Sequence, residues 1–328
     1  MKFDVIIGNP PYQMSVGNEG RNSSYAIAIY NLFIDKAIEL NPKYITMITP
    51  SRWMANAAIG VSKEWISKML TSQKLRKIYD YESANSLFSG VGIAGGVNYF
   101  LWDNEYVGDC EYNYHSEDGE LVSGTLNLNE FNGEFIIRNI NYYNIFKKVE
   151  DVEKQYYNDD KKNFKSIVNA YGLGGNLSTK WRGYNSTMSE STPIKYYVSK
   201  GTNGVPNGWI NEGMIERNHH IIDLHKIFIL RVGGGKKVLG EPIYGEPGSV
   251  ASSSFAIIGG DHNLTKQECE NIISYIHTKF FRFMVNILKI TQGATRRVYQ
   301  LVPLQDFSKP WTDAELYAKY KLTEEEIA

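Results

Sequence analysis

The hydrophobic pattern of the first third of the chain alternates between short apolar runs and longer stretches with apolar residues three or four positions apart. The short runs have the length of strands, and the periodic stretches have the spacing of helices. The order strand, helix, strand, helix, strand predicts βαβ units with right-handed crossovers and a mainly parallel sheet. The predicted elements are a strand at 3–8, a helix from Ser24 to Leu40 capped by Ser23 or Ser24, a strand at 44–48, a helix at 62–70 and strands at 77–81 and 97–102.

The pattern changes after residue 102. Short alternating segments with the hairpin signal Asp118-Gly119 fill 103–133, a helix is predicted near 142–149, and a charged connector follows at 151–162. We therefore predict two domains, 1–150 and 151–328. In the second domain, Gly, Asn, Ser and Tyr dominate up to Gly248, which predicts an irregular β-rich or α+β fold. It ends with an amphipathic helix at 265–289, with an expected break near Thr278, and a short helix at 311–320.

Composition narrows the class of protein without identifying it. The chain has 328 residues, 42% of them hydrophobic, and a formal net charge of −1. No apolar run is long enough to cross a membrane and no leader sequence is recognisable, so we expect a cytoplasmic protein without membrane contact. Two distant cysteines exclude a Cys-rich zinc module. No Cys or carboxylate constellation at ligand spacing accompanies the three histidines at 219, 220 and 225, so no metal is predicted. Any nucleic-acid contact must be a local basic patch.

The strongest chemical signal is the loop Asn9-Pro10-Pro11-Tyr12, directly after the first strand. The two prolines fix φ and remove two amide donors, so the chain leaves the strand in a stiff loop. This loop holds one amide and one phenol ring rigidly. Methyl transfer to a planar exocyclic amine needs such a pair, because an acceptor must draw the nitrogen lone pair out of conjugation while an aromatic face holds the ring.

These residues resemble motif IV of gamma-class adenine-N6 DNA methyltransferases, and the whole chain resembles the C-terminal part of type IIG-like restriction-modification enzymes. The resemblance implies that the Asn9 side-chain oxygen and the Pro10 carbonyl accept hydrogen bonds from the target amine, and that Tyr12 stacks on a flipped adenine. Because Asn is neutral, we expect direct in-line transfer from S-adenosylmethionine, with the proton lost afterwards to water. The fold it implies is α/β, a partial doubly wound Rossmann-like methyltransferase sheet.

Further segments resemble the same enzymes. Leu87-Phe88 and residues 93–102 resemble motif VIII, which places Phe88, with Pro11, in the target-base pocket and makes strand 97–102 an antiparallel insertion. Gly90, Gly92 and Gly95 satisfy the pattern G-x-G-x-x-G, which is typical of cofactor-binding loops. A cofactor-binding loop is followed by a helix, whereas here a strand follows, so we do not predict cofactor binding at this loop.

In most such enzymes the cofactor motif precedes Asn-Pro-Pro-Tyr by tens of residues. Only Phe3 and Asp4 remain upstream of the strand core here, and Asp4 is a weak cofactor candidate. We therefore expect an incomplete S-adenosylmethionine site, completed by an upstream methyltransferase or nuclease domain or subunit.

The second half resembles a DNA target recognition domain, so double-stranded DNA is the expected partner. Cations interleaved with aromatic and polar residues in Gly-rich loops suit phosphate clamping and groove reading. The candidate contacts are Lys180, Trp181, Arg182, Lys200, Lys236, Lys237, Gln292, Arg296 and Arg297. Two alternatives stay open: a non-catalytic DNA-binding specificity module, and a protein glutamine or RNA methyltransferase.

Overall fold

The computed structural model describes residues 3–16, 25–159, 161–169, 173, 177–178, 180–199, 207–232, 238–290 and 293–328. The chain divides into two compact units, Met1–Asn144 and Ile145–Ala328. The roles that the sequence assigns to a catalytic domain and a recognition domain stay predictions. Within the described ranges, no helix has the length and apolar character needed to cross a membrane.

A six-stranded mixed sheet is the centre of the first unit, with strand order β1-β4-β6-β5-β7-β8. The elements of this unit are, in chain order, β1 (Val5–Gly8), β2 (Gln13–Val16), β3 (Tyr25–Ala28), α1 (Tyr30–Glu39), β4 (Tyr44–Pro50), α2 (Lys63–Thr71), β5 (Leu75–Tyr81), β6 (Val97–Asp103), β7 (Cys110–His115), β8 (Leu121–Leu126) and α3 (Ile140–Glu153), which continues into the second unit. The α/β class is confirmed. Strand β1 is parallel to β4, and β6 lies antiparallel between β4 and β5, as the resemblance implied.

The first helix begins later in the structure than the sequence predicts, at Tyr30 and not at Ser24. Residues Tyr25–Ala28 form strand β3, which pairs antiparallel with β2, and helix α1 begins only at Tyr30. Its N-cap residue is Ile29, which makes no side-chain cap, so the expected serine cap is wrong. The spacing of apolar residues across 25–33 fits a helix as well as a strand followed by a helix, and the pairing with β2 decides between them.

Helix α2 and its neighbours follow local signals closely. Ser62 caps the helix by accepting a hydrogen bond from the Trp65 amide at 3.1 Å. Trp65 then packs edge-on against Trp53, with ring centroids 5.5 Å apart, in the core between helices and sheet. The predicted hairpin at Asp118-Gly119 joins β7 to β8, but β7 also pairs parallel with β5, so this segment extends the main sheet.

Strand β1 forms an edge of the six-stranded sheet. Among the described strands it pairs only with β4. Val5 and Ile7 on this strand are 48% and 78% exposed, although both are strongly hydrophobic. Helix α1, which follows in the chain, likewise leaves Leu32, Phe33 and Leu40 largely exposed. Five strongly hydrophobic side chains of β1 and α1 are therefore exposed to solvent.

The second unit is an α+β assembly with two small sheets, ordered β11-β10-β14 and β13-β12-β15-β9. Its elements are β9 (Val168–Asn169), β10 (Ile194–Tyr197), β11 (Gly208–Ile210), β12 (Lys226–Leu230), β13 (Pro242–Gly245), β14 (Ser249–Ala251), β15 (Phe255–Ile258), α4 (Lys266–His277), α5 (Lys279–Leu288), α6 (Asp313–Tyr320) and α7 (Glu324–Ile327). The predicted break at Thr278 is confirmed: this residue ends α4 with extended backbone and caps α5 through its hydroxyl.

Candidate active site

The Asn-Pro-Pro-Tyr loop begins where β1 ends at Gly8. Asn9 is exposed and its side chain has no hydrogen-bond partner among the described residues, whereas Pro10 is buried. The carbonyl of Tyr12 accepts a hydrogen bond from the Ile29 amide at 3.2 Å, which ties the end of the loop to the start of α1. The loop therefore presents a free amide on a backbone anchored at both ends.

A cavity of about 970 Å³ opens beside this loop. Its size is at the upper end of the range typical of small-molecule sites. Three stretches form most of its wall: the loop 9–13, the strand end at Pro50 with Arg52, and the segment from Phe88 to Ala94. We call residues 88–96 the cavity loop. The structure thus brings Asn9, Tyr12 and the motif VIII-like Phe88 to one site, with Ala26, Ala28, Tyr30, Ala58 and Ile59 completing the lining.

Two tyrosines that line the cavity have buried hydroxyls without hydrogen-bond partners among the described residues, Tyr12 and Tyr30. Burial raises the pKa of both phenols above the ordinary value, although the charge of Arg52 acts against the shift at Tyr30. Both therefore stay protonated at neutral pH and can donate. A buried polar group without a partner costs about 1–3 kcal/mol, which a ligand group placed against it would recover. Sequence reasoning missed Tyr30, whose position inside a helical pattern gives no such signal.

Charge in the cavity comes from Arg52, the one ionised side chain among the described lining residues. Its Nε donates to the Ala94 carbonyl at 2.5 Å. The described lining residues include no Asp or Glu, so they offer neither a carboxylate for ribose hydroxyls nor a counter-charge for a sulfonium. Asp4 is exposed just before β1, and its carbonyl accepts from the Tyr44 amide at 3.0 Å. The described lining residues thus include no acidic group that could hold the ribose or the sulfonium of S-adenosylmethionine.

The expected DNA contacts lie in the second unit. Lys180 and Arg182 are exposed, while Trp181 packs edge-on against Tyr196 with ring centroids 5.5 Å apart. Arg296 and Arg297 are half-buried in the turn after Thr295, and Arg296 donates to the Lys165 carbonyl at 3.1 Å. Four further candidates fall outside the described residues: Lys200, Lys236, Lys237 and Gln292. All remain predictions. In the described part of the chain no three His, Cys, Asp or Glu side chains are grouped to hold a metal ion.

A mixed α/β sheet with an Asn-Pro-Pro-Tyr loop beside an aromatic cavity agrees with the methylase class. Residues 1–88 match the family described as Eco57I restriction-modification methylase. A protein of Mycoplasma pneumoniae (strain ATCC 29342 / M129 / Subtype 1), named an uncharacterized adenine-specific methylase, is 37% identical over 132 residues. That match covers 39% of this chain and 31% of the relative, so it spans less than a third of the relative's length. The resemblance to adenine methylases of restriction-modification systems is confirmed for the N-terminal part.

Solved restriction-modification enzymes are similar in structure at low identity. The type IIG restriction endonuclease BpuSI aligns with a TM-score of 0.37 and 10% identity, over 98% of this chain and 49% of that one. The Type ISP enzyme LlaGI aligns with a TM-score of 0.43 and 13% identity, over 98% of this chain and 41% of that one. A DrdV–DNA complex gives a TM-score of 0.39, with 10% identity over 93% and 43% of the two chains. At these scores the likeness supports no statement about function.

Proposed function

We propose that this chain is the part of a site-specific adenine-N6 DNA methyltransferase that holds the target base, and that residues outside its cavity supply the S-adenosylmethionine site. The observation that carries the proposal is the anchored Asn9-Tyr12 loop, which opens on a cavity shared with Phe88. The family match of residues 1–88 supports the same chemistry. The absence of acidic residues from the described lining supports the division of the site between two parts.

Asn9 and Pro10 are the electronic half of the proposed mechanism. The Asn9 side-chain oxygen and the Pro10 carbonyl accept the two hydrogens of the adenine amine. These bonds favour a pyramidal nitrogen whose lone pair points away from the ring and toward the methyl donor. Asn9 has no basic function, because a neutral amide cannot take up the proton; water removes it after transfer. The stiffness of the two prolines holds both acceptors in place before the base arrives.

Tyr12 and Phe88 are the aromatic half. Extruding a base from duplex DNA costs a few kcal/mol. Stacking of the base on an aromatic ring returns about 1–3 kcal/mol. Two rings on the cavity wall can therefore offset much of the cost of flipping. The cations near Lys180–Arg182 and at Arg296 and Arg297 are proposed to contact DNA phosphates, which would make binding fall steeply with salt.

The test is Asn9→Ala in the protein as its own cells assemble it, purified through a tag on this chain. Methylation of genomic DNA lacking the modification should fall by about 100-fold or more, the scale for removing one preorganised polar group from a transition state. DNA affinity, measured by fluorescence anisotropy, should change little. Asn129→Ala, which removes an exposed amide after β8, is the matched control and should keep full activity. Methylation that survives in Asn9→Ala would overturn the role of this residue.

A further inference from the structure

Four donors converge on a fully buried carboxylate in the first unit, that of Asp80 on β5. Its Oδ1 accepts from the Ser51 hydroxyl at 2.6 Å and from Arg138 Nη2 at 2.7 Å. Its Oδ2 accepts from the Tyr112 hydroxyl and from Arg138 Nε, both at 2.6 Å. Burial acts against the charge on Arg138, but the Asp80 carboxylate outweighs it and raises the pKa of the guanidinium. The guanidinium is therefore charged, and each oxygen of the Asp80 carboxylate accepts two hydrogen bonds.

The remaining donor of Arg138 contacts the cavity loop. Arg138 Nη1 donates to the Gly95 carbonyl at 2.8 Å. The two neighbouring carbonyls are also taken: Ala94 by Arg52 Nε at 2.5 Å, and Gly96 by the Ser51 amide at 3.0 Å. Three consecutive carbonyls of the loop are thus bound by three donors, two of which belong to residues that also contact Asp80. The end of the cavity loop is held by the ion pair and by the chain that follows β4.

The backbone of the loop fits closely at the same place. Gly96 has φ +78°, and a Cβ added there would lie 1.9 Å from the Tyr81 carbonyl at the end of β5. From this fixed end the chain runs back through Ala94 to Phe88, all on the cavity wall except Ser89 and Gly90. A small displacement of residues 94–96 would therefore move the aromatic wall of the cavity.

We propose that the Asp80–Arg138 pair positions the wall of the cavity. Arg138 fixes the conformation of the cavity loop, and thereby the position of Phe88, without touching the substrate. Stability alone does not require this arrangement, because a buried ion pair is often replaced by apolar residues without loss. A guanidinium is required for the geometry, since its rigid fork can bind a carboxylate through two nitrogens and a carbonyl through the third. The part of the proposal that concerns the target base rests on the proposed function; the part that concerns the loop does not.

Arg138→Lys tests the loop directly in the full chain. Lysine keeps the charge beside Asp80 but cannot reach the carboxylate and the Gly95 carbonyl in the same way. Hydrogen exchange followed by mass spectrometry should show the bonded amides of Gly90, Val91 and Gly96 exchanging at least about tenfold faster, while the amides of β6 change little. Arg76→Lys is the matched control, because Arg76 pairs with Asp103 at 3.1 Å in the same sheet and contacts no residue of the cavity loop. It should leave the loop unchanged.

Asp80→Leu with Arg138→Met is the second variant, in case lysine prevents folding. This double change removes both buried charges, so the fold should persist, yet it also removes the bond to Gly95 and should release the loop. Exchange that rises equally in the loop and in β6 for Arg138→Lys, or a loop as protected as in the wild type in the double variant, would reduce the pair to a stabilising role and overturn the proposal.

Base binding separates this inference from the proposed function. Quenching of 2-aminopurine riboside fluorescence reports stacking in the cavity. The Kd of the riboside should rise about fivefold or more in Arg138→Lys, because a displaced Phe88 stacks less well on the base. If hydrogen exchange in the loop rises while the Kd of the riboside stays unchanged, the pair does not position the substrate. If neither protein binds the riboside, the proposed function fails, while the exchange result still decides whether Arg138 sets the loop.

Discussion

Two buried cations, Arg138 in the first unit and Lys226 in the second, are held in opposite ways. Arg138 shares two hydrogen bonds with a carboxylate. Lys226 is fully buried, and its partners among the described residues are the backbone carbonyls of Ile222, Leu224 and Glu246, at 3.1, 2.7 and 3.2 Å. Burial lowers the pKa of Lys226 to about 8, although the nearby charges of Glu246 and Asp223 act against the shift. A bound carboxylate keeps a buried cation charged, whereas carbonyl dipoles alone leave its charge conditional on pH.

The largest difference should appear when each cation is replaced by methionine. Arg138→Met leaves the Asp80 carboxylate buried without a counter-charge, with only the Ser51 and Tyr112 hydroxyls as donors, so the free energy of unfolding should fall by about 3–5 kcal/mol. Lys226→Met removes a donor from three backbone carbonyls. Two of them keep another donor, because the Gly248 amide donates to the Ile222 carbonyl and the Ser249 hydroxyl donates to the Glu246 carbonyl. Its cost should be about 1–2 kcal/mol. Urea unfolding measures both, and equal losses would contradict the distinction.

A smaller effect concerns pH. The pKa of Lys226 is about 8 in the folded chain and near 10.5 when unfolded, so between these values the unfolded chain binds more protons. The free energy of unfolding therefore rises with pH in this window, by up to about 1–3 kcal/mol. Burial raises the pKa of Cys269 to about 12, which works in the opposite direction above pH 9. The difference between wild type and Lys226→Met, followed from pH 7 to 9, isolates the lysine; parallel curves would show that its charge is not conditional.

The smallest effect is expected at an exposed cation. Arg76 pairs with Asp103 at 3.1 Å, but its side chain is 48% exposed. Asp103 also accepts the Glu105 amide and so keeps a partner when the arginine is removed. Arg76→Ala should therefore lower the free energy of unfolding by no more than about 0.2–1 kcal/mol. A loss comparable to that of Arg138→Met would show that burial does not control the strength of these pairs.

The parts of the fold that sequence predicts are those with local signals. Ser62 and Thr278 cap helices through their own neighbours, and the two prolines after Asn9 define a loop without any distant contact. The start of α1 could not be predicted, because it depends on pairing between β2 and β3, and the apolar residues Leu32 and Phe33 fit a buried helix face although they are exposed.

The candidate site divides in the same way. Asn9 and Tyr12 stand in one short motif, whereas the Arg138–Asp80 contact joins residues 58 positions apart. One signal for it was present: Asp80 is an acidic residue inside the strand 77–81, where a buried carboxylate demands a cation from elsewhere. The sequence does not identify the cation that pairs with Asp80, because the pairing depends on how β5 and the chain after β8 pack together.

The exposed edge at β1 has a practical consequence for handling this chain. In the described part of the chain, its amide and carbonyl groups on the side away from β4 pair with no strand, so they can recruit another one, and Val-Ile-Ile-Gly contains neither lysine nor proline to prevent it. A net charge of −1 gives little mutual repulsion between molecules. We therefore expect concentrated preparations of the chain to associate edge to edge, and a polypeptide that lies along β1 to keep it dispersed.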